Sequence, residues 1–180
     1  MTPTPRQDSI DRFLELALDL FPTLDPQTEA AVDRITKIHK YLARVTERTV
    51  SQYGLNTGEF KVLLKLRQAP EERLSAGTLS EYLTLSSGAM TNRLDGLEDA
   101  GLIVRERDPE DRRSVLVRLT DAGIDVLART VDAQAAIEAA LIGVLKPEDQ
   151  RRLNDLLRTI VLAIEDERAA ERHPVDRATA

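Results

Sequence analysis

Five arginines and four acids fall within fourteen residues, from Arg105 to Arg118. The stretch "RERDPEDRRSVLVRLT" places charged residues first, then a turn, then alternating apolar and polar positions. Clustered guanidinium groups suit a phosphate backbone, and local positive charge is all that such a partner requires. The chain as a whole is acidic, at -6. Residues 60–120 hold ten Lys+Arg and ten Asp+Glu, so the entire deficit lies outside them. Other chemistries find little support. There are no cysteines, which excludes disulfides, thiolate metal sites and cysteine redox sensing. His39 and His173 are the only histidines and no H-x-x-H spacing joins them to a metal set, so no metal is expected. No nucleophile–base constellation and no phosphate-cradling glycine loop is present, so neither an enzyme nor a cofactor is expected.

The arginine stretch must be held by something, and the sequence before it supplies a scaffold. "GTLSEYLTLSSGAMTNRLDGLEDAGLI" reads as two short helices close together. Leu79, Tyr82 and Leu83 face inward on the first. Leu85 then leads into "SSG", in which Ser86 and Ser87 offer hydroxyl caps for the next helix. The second helix buries Met90, Leu94 and Leu97 and stops at Ala100-Gly101. Its opposite arc carries Gly88, Thr91, Asn92 and Asp95, with Ser87 at its start. Such an arc after a tight turn suits a recognition helix in the major groove. "GLIVRER" and "SVLVRLT" read as two strands joined by "DPEDRR", where Asp108-Pro109 favours a turn. Helix, turn, helix and hairpin in that order make a winged helix-turn-helix.

Five longer helical segments surround this middle part. Ile10, Phe13, Leu14, Ala17, Leu20 and Phe21 form one, closed by Pro22. Another follows Asp25-Pro26, a cap with proline at the first helical position, and carries Ala31, Ile35, Ile38, Leu42 and Val45 on one stripe. It ends near Gly54. A third covers about Thr57 to Arg67, with Phe60, Leu63, Leu64 and Leu66 apolar. The last two run from Asp121 to about Leu145 and from Pro147 to about Glu171. The final helix is more apolar than one helix needs for its own domain. The fold class is mainly α with a small β-hairpin wing. The expected division is 1–54 and 121–172 for the flanking helices, 55–120 for the winged helix-turn-helix, and a disordered tail at 173–180. The apolar fraction is 42 %, no apolar run approaches a membrane span, and the first residues lack a signal peptide's apolar stretch, so a soluble cytoplasmic protein is expected.

From about residue 30 to 170 the chain resembles the MarR family of bacterial transcriptional regulators. The likeness rests on "SSGAMTNRLDGLEDAGLI" followed by the D-x-x-D-R-R wing and L-T-x-x-G. The resemblance implies a homodimer with intertwined terminal helices, bound to a double-stranded DNA operator as a repressor and released by a small molecule. It also implies that Arg113 at the wing tip enters the minor groove, that Asp111 orients its guanidinium, and that Arg112 contacts phosphate. A narrow, electronegative minor groove favours arginine. The DNA-binding set is then Ser86, Ser87, Gly88, Thr91, Asn92, Arg93, Asp111, Arg112 and Arg113. The extra first helix resembles the family's urate-responsive subgroup, whose two arginines match Arg93 and Arg105. The subgroup's Trp-Asp pair is Phe60-Lys61 here, which argues against urate. Effector candidates are Phe13, His39, Phe60, Lys61, Arg93 and Arg105. Three cations in one cleft would favour a small organic anion. The competing reading is a winged helix used as a protein-interaction module, which an apolar recognition face would favour.

Overall fold

The computed structural model describes residues 6–69, 71–108 and 115–172. Helix α1 (Ser9–Leu20) opens on Asp8, whose carboxylate accepts from the Ile10 and Asp11 N–H groups at 2.7 and 3.0 Å. Asp11 accepts from the Asp8 N–H at 2.9 Å in return, so three otherwise orphaned donors are satisfied. Helix α2 (Pro26–Gln52) is capped by Asp25, with proline at the start as the sequence suggested. The Thr28 hydroxyl and N–H bonds lower the Asp25 pKa. At the far end Gly54 adopts φ +74°, a left-handed turn. Arg34 of α2 ties the two helices, donating to Asp8 at 2.9 Å and also to Asp11. That guanidinium, with the Asp11 N–H, holds the Asp8 carboxyl down at about 2.

The next elements build one small lobe. They are α3 (Thr57–Gln68), β1 (Arg73–Ser75), α4 (Ala76–Leu83), α5 (Ser87–Asp99), β2 (Ile103–Arg107) and β3 (Val115–Leu119). Asn56 and Glu59 form a capping box at the start of α3. The sheet is antiparallel in the order β1-β3-β2, so β3 is central. Arg73 and Val104 both stand opposite Arg118, on either side of it. The expected two-stranded hairpin is therefore a three-stranded sheet. The core joins Val50 and Leu55 to Phe60, Leu63 and Leu66 of α3, Leu79 of α4, and Met90, Leu94 and Leu97 of α5. Ile103, Val117 and Leu119 close it from the sheet, and Leu127 closes it from the following helix. Val62 is fully buried, although the sequence reading passed over it. Tyr82, expected to face inward, is 61 % exposed and lies under the Lys65 ammonium at 5.5 Å from its ring centre. The phenol hydroxyl makes the surface its cheaper place.

Helix α6 (Asp121–Ile142) is anchored where it leaves the sheet. The Thr120 hydroxyl donates to the Gly101 carbonyl at 2.7 Å and accepts from the Gly123 N–H at 3.0 Å. The Thr120 N–H donates to the Leu102 carbonyl at 3.1 Å. Gly123 is buried, and a Cβ there would overlap the Leu102 carbonyl oxygen. This explains the glycine of "LTDAG" by contact.

The chain separates into two units, Met1–Gln134 and Ala135–Ala180. In the first, Phe13, Leu16 and Leu20 of α1, Phe21 just after it, and Val32, Ile35 and Ile38 of α2 are exposed. In the second, α7 (Pro147–Arg172) exposes Leu156, Leu157, Ile160, Val161, Leu162 and Ile164. Its Gln150 amide donates to the Leu145 carbonyl at 3.0 Å, which holds the turn before α7. No helix among the described residues is long and apolar enough to cross a membrane. Gly123→Ala is expected to lower the unfolding free energy by about 1–3 kcal/mol, the usual cost of overpacking against a fixed neighbour. Urea unfolding checks this, and an unchanged midpoint would contradict the close approach.

Candidate nucleic-acid interface

The turn between α4 and α5 is short and fully specified. Ser75 caps α4, its hydroxyl accepting from the Thr78 N–H at 3.0 Å. Thr84 ends it in the left-handed region at φ +52°, unusual for a β-branched residue. The Leu85 N–H then returns to the Ser80 carbonyl at 2.9 Å, closing the C-terminus. Ser86 opens α5, accepting from the Ala89 N–H at 3.3 Å. Met90, Leu94 and Leu97 are each 1–2 % exposed and fix the rotation of α5 about its axis. The outer arc follows from that rotation. Ser86, Ser87, Gly88, Thr91, Asn92 and Asp95 are all exposed. The Thr91 hydroxyl donates to the Ser87 carbonyl at 3.0 Å. The N–H groups of Ser87 and Gly88, in the first turn, have no intrahelical acceptor and point along the positive end of the helix.

Arg93 and Arg105 lie on opposite flanks of α5. Arg93 is half-buried and lies over Gly58 of α3, where an added Cβ would come within 2.6 Å of the guanidinium carbon. No hydrogen bond or ion pair of Arg93 occurs among the described residues. Arg105 reaches the other flank, donating to Asp95 at 2.6 Å, with Glu98 at 3.5 Å and the Thr91 carbonyl at 3.5 Å. The Arg105 N–H also donates to Glu98, at 3.3 Å. Strand β2 is thus latched to the helix. Glu98, on the same helix as Arg93, belongs to Arg105. The acids that hold Arg105 went unrecognised, and their only signal was their spacing of three along one helical face.

The proposed trio of cations is not gathered in one cleft. Arg105 is matched by acids, Arg93 lies across the helix from it, and Lys61 is exposed on α3. Phe60 is 5 % exposed and belongs to the core. Phe13 is exposed on α1 and His39 on α2. Asp111, Arg112 and Arg113 lie outside the described residues. On the outer face of the sheet, Arg118 pairs with Glu106 at 2.7 Å and Arg73 with Glu71, which raises the Arg73 pKa. Among the described residues no group of three His, Asp or Glu is placed to hold a metal ion.

Comparison with known proteins gives the geometry its context. Residues 55–115 match the MarR family. PecS of Dickeya dadantii, an HTH-type transcriptional regulator, is 30 % identical over 138 residues, covering 76 % of this chain and 82 % of its own. AbsC of Streptomyces coelicolor, a MarR family transcriptional regulator, superposes with a TM-score of 0.65 at 22 % identity, over 79 % of this chain and 97 % of its own. A MepR mutant of S. aureus bound to an oligodeoxyribonucleotide superposes at 0.59 and 19 % identity, over 74 % and 97 %.

The Arg105 latch has a measurable consequence. Arg105→Ala is expected to cost about 0.5–1 kcal/mol, the scale of a part-exposed ion pair discounted for solvent. Amide exchange in β2 should quicken selectively. Equal exchange in the variant would show that the latch does not hold the strand.

Proposed function

The chain belongs to the MarR family of DNA-binding transcriptional regulators, and from that premise we propose that it acts in the cytoplasm as a homodimeric repressor of a pseudo-palindromic operator. The supporting observation is the outer arc of α5, where short polar side chains stand on a helix whose rotation the core fixes. Ser86, Ser87, Gly88, Thr91 and Asn92 read base edges and phosphates in the major groove. Arg113 enters the minor groove, oriented by Asp111, while Arg112 meets phosphate. The rival protein-interaction reading needs an apolar recognition face, and this arc is polar.

Residues 1–54 and 121–172 form the dimer core in this reading. The apolar side chains left in water on α1 and α2, and separately on α7, favour it, since monomers rarely expose such patches without use. Half-sites should lie about 34–36 Å apart, one helical turn. A small organic anion releases the DNA by binding the DNA-incompetent state more tightly. Arg93 is the first candidate to sense it, being half-buried beside α3 without an acid partner among the described residues.

A gel-shift titration with the DNA flanking the protein's own gene tests this. Wild type should give a discrete, salt-sensitive complex. Arg113→Ala should weaken it by about 1–3 kcal/mol while remaining folded. Equal affinities at matched salt would remove the minor-groove role.

A further inference from the structure

From Ala76 to Val104 the chain holds a single Lys or Arg, Arg93. That side chain is half-buried over Gly58 of α3, on the flank of α5 and not on its outer arc. The arc therefore offers no guanidinium or ammonium to the O6 and N7 acceptors of guanine, the commonest specific contact in the major groove. A carboxylate could accept from the cytosine N4 amine instead. Asp95 and Glu98, however, are both held by Arg105, at 2.6 and 3.5 Å. Asp99 is the last residue of α5, away from the N-terminal turns that meet base edges. Neither base of a G·C pair finds its charged reader here.

Asn92 and Thr91 remain. At about 3.6 residues per turn, Asn92 stands opposite the buried stripe of Met90, Leu94 and Leu97. It is exposed, and its amide makes no hydrogen bond among the described residues. Gly88, four residues earlier on the same face, presents no side chain beside it, and nothing packs within 4 Å of where its Cβ would stand. The fold does not require glycine there, and a base pair can come up to Asn92 unobstructed. The Thr91 hydroxyl donates to the Ser87 carbonyl at 3.0 Å, which uses its donor and leaves the methyl for apolar contact. We propose that Asn92 determines the sequence preference of the half-site by reading the adenine of an A·T pair, with Thr91 against a thymine methyl beside it. The amide would donate to adenine N7 and accept from the N6 amine. This assignment rests on α5 being the recognition helix.

A duplex enriched by the full chain from a randomised library supplies the probe, and each adenine of its half-site is replaced in turn by 7-deazaadenine. That base lacks the N7 acceptor but leaves the minor groove unchanged, so groove width and the wing contribute nothing to the difference. At one position wild type should bind about tenfold more weakly in a gel shift. Asn92→Ala should bind the natural duplex and that 7-deaza duplex equally, because both changes remove the same contact. Deoxyuridine in place of the neighbouring thymine should weaken wild type and leave Thr91→Ser unaffected. Asn92→Arg should move the preference at the same pair from A·T to G·C. If no sequence is enriched, the recognition-helix reading itself fails. If a sequence is enriched but no 7-deaza position matters, or Asn92→Ala keeps the full 7-deaza penalty, operator binding stands and the assignment of Asn92 is overturned.

Discussion

Everything presented by this protein on its polar side depends on three side chains that water never reaches. Met90, Leu94 and Leu97 recur every three or four residues along α5 and are almost completely buried. Each contributes about 1.5–3 kcal/mol by leaving water, so a rotation of α5 that exposed them would be prohibitive. With that rotation fixed, Ser87, Gly88, Thr91 and Asn92 face solvent or a ligand, while Asp95 is taken by Arg105. The turn before the helix adds the start point, through the Thr84 left-handed residue and the Ser86 cap. Register and rotation together turn a stretch of ordinary polar residues into an ordered array.

The wing is held to the same frame by two independent means. Thr120 and Gly123 pin the end of β3 and the start of α6 to the Gly101–Leu102 turn, immediately after α5. Arg105 then joins β2 to Asp95 and Glu98 of the same helix. Any change in the tilt of α5 is therefore felt at the root of the wing. The charges follow this plan. Arg73, Arg105 and Arg118 of the sheet each have an acid partner, which offsets the like charge they bring to it.

Local rules made much of this legible in the sequence. Asp25-Pro26, Gly54, Ser86 and Gly101 each punctuate an element through their own backbone chemistry, and the α5 stripe alone gave its buried face. What escaped was non-local. Strand β1 is three residues long, too short for a readable alternation, and exists because β3 offers it an edge. Tyr82 sits at a helical spacing that suits burial, yet the Lys65 side chain and water hold it outside. The partners of Arg105 lie seven and ten residues away on another element, which no spacing rule reaches. Phe60 and Lys61 are neighbours in sequence, but one faces the core and the other solvent.

The exposed apolar faces of α1 and α2, and separately that of α7, follow periodicities that the sequence displays openly. A two-fold pairing would bury them and set two copies of α5 at a fixed distance, which is what gives the proposed regulator its operator geometry. The most direct measurement is selection of bound duplexes from a randomised DNA library by the wild-type protein. Enrichment of a two-fold sequence with half-site centres about 34–36 Å apart is expected. Failure to enrich any sequence, or enrichment of a lone half-site bound by one chain, would contradict the reading of α5 as one of a pair of recognition helices.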